Sequence, residues 1–336
     1  RRGAHAAICS VLAGQCLVAA NDQVNGQQAF NFAQPFKYGD FYQARPGEFD
    51  PPTERQLAAL HRRIEPERYR AALICDPNIA DGFCAGHVPE FWQLRAIDGY
   101  YGLGVPRRLR SLPWPTGLSL RTISFVDLKD VPWDLLGLLN VRWVIRSDDG
   151  VFRNIVRDGD RVVGRSDPAA FDVIPSPARV TPRAFFAESV KPASSPEDAV
   201  RQMFNSGAIV DPVKTSFVEG LGEDRRFGEG GKIELQGHDD SPTLRFTAST
   251  SERFLVLNEL YYPGWKAQAD GRELPIQATN AVMRGILVPP GSNQVWFRYA
   301  PLSTGPFSWL IRAIALLAII GTFLGLRWSI ATRASQ

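Results

Sequence analysis

Histidine and cysteine are scarce in this 336-residue sequence, with four of each. The histidines fall in unrelated contexts without the spacing of metal ligands: His5, His61, His87 and His238. The Gly-rich stretch around Gly231 and Lys232 continues with Ile233 rather than Ser or Thr, which argues against a phosphate-binding P-loop. Nucleophile-elbow and kinase signatures are also missing. We therefore expect no metal, cofactor or catalytic residue in this chain.

The sequence also lacks a strong excess of charge of either sign. The 38 Lys and Arg residues against 35 Asp and Glu residues give a formal net charge of +3. A nucleic-acid-binding protein would concentrate basic residues on one element, so no nucleic-acid partner is expected. The 44% hydrophobic content is enough for a real core, and the length suits about two domains.

Two apolar runs predict the membrane topology. The run from Gly305 to Leu326 is nearly free of polar residues, and about 20 helical residues cross a bilayer core. We predict a transmembrane helix over residues 304–328, followed by a cytoplasmic tail over residues 329–336. A weaker run predicts a transmembrane helix over residues 1–21, although a basic start and an apolar middle are also typical of a signal peptide.

Basic residues flank both runs on their outer sides: Arg1, Arg2, Arg327 and Arg333. By the positive-inside tendency both ends are cytoplasmic, and the large region between them is extracytoplasmic. The chain starts with Arg rather than Met, so we expect a piece of a longer, multi-pass protein of the inner (cytoplasmic) membrane. Its partners would include membrane lipid and the missing helices. Cys75 and Cys84 are close enough for a disulfide, or remain two free thiols.

The extracytoplasmic region contains two successive patterns of predicted secondary structure, which together predict an α+β fold. In residues 22–159 predicted helices alternate with predicted strands. The predicted helix "PTERQLAALHRRIE" precedes the strand "RYRAALIC", and the predicted helix "VPWDLLGLLN" precedes the strand "VRWVIRS". Residues 160–303 contain short strands at regular spacing between Pro and Gly turns, which favours an antiparallel β-sandwich or jelly-roll-like domain. Asp270 and Gly271 predict a hairpin turn, and Ser195 predicts the N-cap of the helix in "SPEDAVRQMF".

Several motifs carry a resemblance to a known family. The stretch "FLVLNELYYPGWKAQADGRELPI", followed by "VPPGSNQVWFRYAP" and a final apolar run, resembles the C-terminal end of YfhO-like bacterial membrane proteins. "DGYYG", "LLGLLNVRWVI" and "PRAFF" resemble landmarks further upstream in that family, so the resemblance covers most of residues 90–328.

YfhO-like proteins are similar to the C-type glycosyltransferase superfamily. The resemblance implies many membrane helices, a polyprenyl-phosphate-linked sugar donor and acidic catalytic residues on an early extracytoplasmic loop. That loop is absent from these residues, so no catalytic residue can be assigned. Any divalent metal would belong to the missing catalytic region.

Aromatic and basic side chains supply the candidate substrate-binding residues. The motif "DGYYGLGVPRRLR" offers tyrosine rings for stacking on a sugar and arginines for bidentate pairing with phosphate. The turn "LNELYYPGW" adds two further aromatics. The candidates are Tyr100, Tyr101, Arg107, Arg108, Arg110, Tyr262 and Trp265. Structural or simply solvated roles would explain the same residues.

Together these observations predict a recognition role. We expect the extracytoplasmic portion of a polytopic, polyprenyl-phosphate-sugar-dependent glycosyltransferase acting on cell-envelope glycan or lipid, with the chemistry performed elsewhere in the parent. Two alternatives stay open: a non-catalytic glycan-binding module, and a scaffold for envelope assembly.

Overall fold

A computed structural model describes a large part of the chain. The described residues are 51–74, 95–97, 107–116, 125, 127–147, 155–158, 161–164, 171–205, 208–228, 230–237, 241–300, 314 and 321. The predicted membrane runs, Cys75, Cys84 and the tyrosines of "DGYYG" lie outside them, except that Ile314 and Gly321 are helical. No helix within the described ranges is long and apolar enough to cross a membrane.

Strands outnumber helices. The helices are α1 Pro51–Ile64, α2 Arg107–Arg110, α3 Trp133–Leu138 and α4 Pro196–Met203, with a 3-10 turn at Leu128–Asp130. The strands in chain order are β1 Arg70–Ile74, β2 Val141–Ser147, β3 Ile155–Asp158, β4 Arg161–Gly164, β5 Phe171–Pro175, β6 Ala184–Ala187, β7 Ser189–Ala193, β8 Ser216–Glu219, β9 Arg225–Arg226, β10 Ile233–Gln236, β11 Thr243–Phe246, β12 Arg253–Leu257, β13 Trp265–Ala269, β14 Arg272–Leu274, β15 Gln277–Thr279, β16 Met283–Val288 and β17 Gln294–Tyr299.

The described residues fall into two compact units. The larger unit comprises Asp40–Tyr262 and Lys266–Arg298, and it contains nearly all of the described secondary structure. The smaller unit includes Pro263–Trp265 and the residues from Tyr299 onward. Within the smaller unit the ring of Trp265 lies 5.4 Å from that of Tyr299, and the backbone N–H of Ala300 donates to the carbonyl of Gly264 at 2.7 Å.

A three-stranded sheet confirms the predicted alternation of helix and strand. Its order is β1-β2-β5, with β1 parallel to β2 and β5 antiparallel to β2. Helix α1 ends beside this sheet, because the indole of Trp143 in β2 donates to the carbonyl of Ile64 at 2.9 Å. Strand β5 lies beyond residue 159, so this sheet draws on both predicted regions.

A seven-stranded sheet has the order β6-β12-β16-β15-β8-β7-β9. Its β7–β8 pair is parallel, so the prediction of a wholly antiparallel sheet is wrong at this pair. Helix α4 supplies the crossover that a parallel pair needs. Its N-cap is confirmed, since the hydroxyl of Ser195 accepts from the backbone of Asp198 at 3.1 Å, and it buries Ala199 and Met203.

A five-stranded sheet has the order β10-β11-β17-β13-β14. In β17, Val295 and Phe297 are buried between more exposed neighbours, which confirms the alternation read from the sequence. The β13–β14 hairpin turns at Asp270 and Gly271, whose φ angles are 49° and 75°. Positive φ at both positions is the requirement of a type I′ turn, so the predicted hairpin is confirmed.

The five- and seven-stranded sheets pack face to face through an aromatic cluster. Phe186 of β6 meets Phe246 of β11 edge to face, with ring centroids 5.1 Å apart. The guanidinium of Arg253 lies 4.2 Å and 4.9 Å from these two rings. On the opposite face of β12, Phe254 and Val256 join the core cluster that includes residues of α3 and α4. The result is a β-sandwich-like arrangement in which both faces of β12 are buried.

The close packing around Gly285 of β16 predicts that one added methyl group there will lower the free energy of unfolding. A Cβ at Gly285 would lie 2.2 Å from the hydroxyl of Thr279 and 2.5 Å from the ring of Phe254. We expect Gly285→Ala to destabilise the chain by about 1–3 kcal/mol, as overpacking does, in denaturant unfolding followed by circular dichroism. Gly222→Ala is the control, because no atom lies within 4 Å of its added Cβ. Equal effects of the two changes would contradict this account of the core.

Candidate functional site

Arg108 of the predicted basic patch is engaged within the protein. Both terminal nitrogens of its guanidinium pair with the carboxylate of Glu219, one of them at 3.0 Å. One nitrogen also donates to the carbonyl of Ala281 at 3.0 Å, and the guanidinium lies 4.8 Å from the ring centre of Tyr261. These contacts join α2 to β8 and to the turn before β16.

The other sequence-predicted residues have varied surroundings. Arg107 and Arg110 belong to the four-residue helix α2, and Arg110 is exposed. Tyr262 is 47% exposed, whereas Trp265 is half-buried beside Tyr299. Tyr100 and Tyr101 lie outside the described residues. Substrate binding by these seven residues stays a prediction.

A cavity of about 140 Å³ lies beside the end of β12. Its apolar wall contains the indole of Trp114, which is held in place because its N–H donates to the carbonyl of Leu109 at 2.7 Å. The other large apolar side chains at the wall are those of Ile97, Leu109, Leu139, Leu260 and Val282. Its polar wall contains Arg70, Asn258 and Glu259. The cavity is therefore lined by one aromatic residue and three polar residues among apolar ones.

Glu259 is the electrostatic centre of this polar wall. Its Oε2 accepts from Arg70 at 2.5 Å, and its Oε1 accepts from Arg183 at 3.0 Å and from Arg95. Burial by itself would raise the pKa of Glu259. The charges of Arg70, Arg95, Arg183 and Arg284 outweigh burial, so they hold the pKa of Glu259 well below its ordinary value.

Arg70 links this carboxylate to the backbone around it. One terminal nitrogen donates to the carbonyl of Leu139 at 2.8 Å, and the other donates to the carbonyl of Asn258 at 2.8 Å. Burial lowers the pKa of Arg70, and the carboxylate of Glu259 opposes that effect. The side-chain amide of Asn258 donates to the carbonyl of Leu138 at 2.9 Å. The polar wall is thus tied to the residues at the end of α3.

The sequence analysis missed this polar wall. Asn258 and Glu259 belong to the "LNELYYPGW" stretch, whose predicted binding residues are Tyr262 and Trp265. A signal was present, because two polar residues directly follow the apolar run of β12. The partners Arg70, Arg95 and Arg183 come from distant parts of the chain, and no local pattern identifies them. Within the described ranges no group of His, Cys, Asp and Glu side chains could hold a metal ion.

Comparisons with known proteins give little further information. No protein-family model and no curated protein matches the chain. A cryo-EM structure of the arabinofuranosyltransferase AftD from Mycobacteria aligns with 32% of this chain and 7% of that chain, at 18% identity and a TM-score of 0.20. A mutant of the same enzyme aligns with 30% of this chain and 8% of that chain, at 16% identity and a TM-score of 0.20. The chain therefore spans less than a tenth of that enzyme's length, and likeness at this level assigns neither fold nor function.

The cluster of arginines around Glu259 predicts that removing the charge of this carboxylate will strongly lower stability. We expect Glu259→Gln to lower the free energy of unfolding by about 3–5 kcal/mol, because breaking a buried ion pair leaves the opposite charge uncompensated. Denaturant unfolding at about pH 7 would measure this change. The control is Glu273→Gln, since Glu273 pairs with Lys266 on the exposed surface at 3.4 Å and such pairs contribute about 1 kcal/mol or less.

The low pKa of Glu259 also determines how its contribution to the free energy of unfolding depends on pH. In the folded chain Glu259 stays ionised below 4.5, the ordinary pKa of its carboxyl group, whereas the unfolded chain takes up a proton there. Its stabilisation is therefore complete well above that pH and is lost as the pH falls toward the folded pKa. We expect the stability difference between wild type and Glu259→Gln to shrink on acidification. A difference that grew below that pH would contradict the assignment.

Proposed function

We propose that this chain is the extracytoplasmic recognition part of a multi-pass membrane protein that handles cell-envelope glycan. In this proposal the parent is a YfhO-like, polyprenyl-phosphate-sugar-dependent glycosyltransferase. Its catalytic residues lie outside the chain, and the apolar runs at 1–21 and 304–328 anchor the β-rich region at the inner membrane. The motif resemblance supports the family, and the two apolar runs support the placement.

The observation that carries the recognition role is the mixed lining of the cavity. A sugar ring has an apolar face of C–H groups and a rim of hydroxyls, so it suits an indole on one side and fixed polar groups on the other. Trp114 provides the indole, while Arg70 and Glu259 provide charged hydrogen-bonding groups. Pockets for drug-sized ligands measure about 300–1,000 Å³. A cavity of about 140 Å³ suits a single ring of a longer glycan.

The cavity is a better candidate than the predicted arginine patch. The guanidinium of Arg108 is held by Glu219 on both terminal nitrogens, so recognition of phosphate there would first have to break this pair. The cavity, by contrast, offers open space of about 140 Å³ beside the charged pair of Arg70 and Glu259. Tyr262, at 47% exposure, is close in sequence to Glu259 and would offer a second aromatic surface to an extended glycan.

A pair of tryptophan substitutions tests the proposal. We expect Trp114→Ala to weaken binding of an envelope glycan by about tenfold or more, which corresponds to about 1.4 kcal/mol, because it removes the stacking surface. Isothermal titration calorimetry on the full 336-residue chain in detergent would measure the affinity. Trp133→Ala is the matched control, because Trp133 is also half-buried against the core cluster but lines a different groove.

The outcomes separate the competing roles. Glycan binding that is lost with Trp114→Ala and kept with Trp133→Ala supports recognition at the cavity. Equal losses in both variants would reject the cavity as the binding site. Absence of any glycan binding, together with stable copurification of other envelope proteins, would reject the proposal in favour of a scaffold.

A further inference from the structure

Arg108 is not among the residues that line the cavity, but it is bonded to elements that form the cavity wall. We infer that Arg108 is a positioning residue for the cavity, because its contacts fasten the residues that carry Trp114 to the seven-stranded sheet. This inference deepens the proposed recognition role and rests on it where glycan binding is concerned. It gives Arg108 a role that requires no contact between its side chain and a ligand.

Residues 107–116 form the wall segment, which supplies Leu109 and Trp114 to the cavity wall. Hydrogen bonds inside the segment make it a compact unit. The carbonyl of Leu109 accepts from the indole N–H of Trp114 at 2.7 Å, and the backbone N–H of Trp114 donates to the carbonyl of Leu112 at 2.9 Å. Leu109 directly follows Arg108 in the chain, so the position of the Arg108 backbone determines where the indole lies.

Arg108 fastens the wall segment to other described elements. Both terminal nitrogens of its guanidinium pair with the carboxylate of Glu219, one of them at 3.0 Å, and one nitrogen donates to the carbonyl of Ala281 at 3.0 Å. The side chains of Arg108 and Glu219 are only 24% and 19% exposed, so solvent screens this pair less than it screens a surface pair. Pairing through two nitrogens fixes the orientation of the guanidinium as well as its position.

The two acceptors of Arg108 are held in place relative to each other. Glu219 ends β8, and Ala281 lies in the turn between β15 and β16. The side-chain oxygen of Asn280 in this turn accepts from the backbone N–H of Phe217 in β8 at 2.9 Å. The backbone N–H of Asn280 donates to the carbonyl of Phe217 at 2.7 Å. Because these bonds join the turn to β8, Arg108 binds to a fixed pair of acceptors.

The same turn supplies another part of the cavity wall. Val282 follows Ala281 and lines the cavity, as does Leu260. The carbonyl of Val282 accepts from the backbone N–H of Tyr261 at 2.6 Å, so these two lining residues lie on bonded stretches of backbone. Arg108 therefore connects the wall segment to the wall formed by Leu260 and Val282. Without this connection the cavity would spend less time in the arrangement that a ligand needs.

The first test follows Trp114 itself and uses no ligand. The full chain in detergent would be labelled with fluorotryptophan, and the variant Trp114→Phe would identify the fluorine resonance of Trp114 by its loss. We expect Arg108→Gln to shift or broaden this resonance, because the wall segment loses its connection to the sheet. The resonance of Trp143 should stay unchanged, since its indole is bonded to the carbonyl of Ile64 at 2.9 Å beside the three-stranded sheet.

Arg225→Gln is the matched control. Arg225 also pairs with a glutamate, Glu252 at 2.7 Å, and its guanidinium also lies near an aromatic ring, 5.4 Å from the centre of Phe227. None of these three residues lines the cavity. We therefore expect the Trp114 resonance of Arg225→Gln to match that of wild type.

The second test measures binding. Each variant would be titrated calorimetrically with soluble polysaccharide released from bacterial cell envelopes. We expect Arg108→Gln to weaken binding about fivefold or more, because the apparent affinity falls with the fraction of molecules whose site is competent. The double variant Arg108→Gln with Glu219→Gln should bind about as weakly as Arg108→Gln alone, because the effects of two partners in one ion pair are not additive. The thermal midpoint of each variant would show that it is folded.

The outcomes distinguish this inference from the proposed function. An unchanged Trp114 resonance in Arg108→Gln, or equal changes at Trp114 and Trp143, would overturn the inference whatever the glycan does. A changed Trp114 resonance with unchanged glycan affinity would overturn the role of Arg108 in recognition. If the wild type binds no envelope glycan, the proposed function is rejected, and the Trp114 resonance still decides whether Arg108 positions the cavity wall.

Discussion

The carboxylate of Glu259 is the contact on which the site and much of the surrounding fold depend. It receives arginines from the start of β1, from the segment beside β1 and from the residue before β6: Arg70, Arg95 and Arg183. These partners lie 189, 164 and 76 residues away in sequence. A buried carboxylate without them would be protonated or drawn to water. The cluster therefore forms only when the three-stranded and seven-stranded sheets are both in place.

The same contacts that close the fold also orient the polar wall of the cavity. Strand β12 ends at Leu257, and the next residue turns its side chain toward the end of α3, where Asn258 donates to the carbonyl of Leu138. Arg70 then bridges the following carbonyl, that of Leu139, and Glu259. Because each group is fixed by a second contact, the cavity is preorganised, and a ligand would lose little affinity to ordering of the site.

The proposed recognition role is compatible with a parent protein whose chemistry lies elsewhere. The described acidic residues of the cavity and of the basic patch are committed to arginines: Glu259 to the cluster around Arg70, and Glu219 to Arg108. A carboxylate with so low a pKa accepts hydrogen bonds but is a poor general base. In the proposed recognition site Glu259 would therefore accept hydrogen bonds and would not take part in proton transfer.

The sequence alone determined the local structure, because periodicity and turn chemistry act between near neighbours. It predicted α1, β1 and β2, the cap at Ser195, the hairpin at Asp270 and Gly271 and the alternation of β17. Tertiary structure alone decided the β7–β8 parallel pair and the pairing of Arg108 with Glu219. It also decided the cavity, because its polar groups come from strand ends far apart in the chain. Short-range patterns carry no information about which distant charges will meet once the sheets pack, and for this reason the candidate site became visible only in the folded chain.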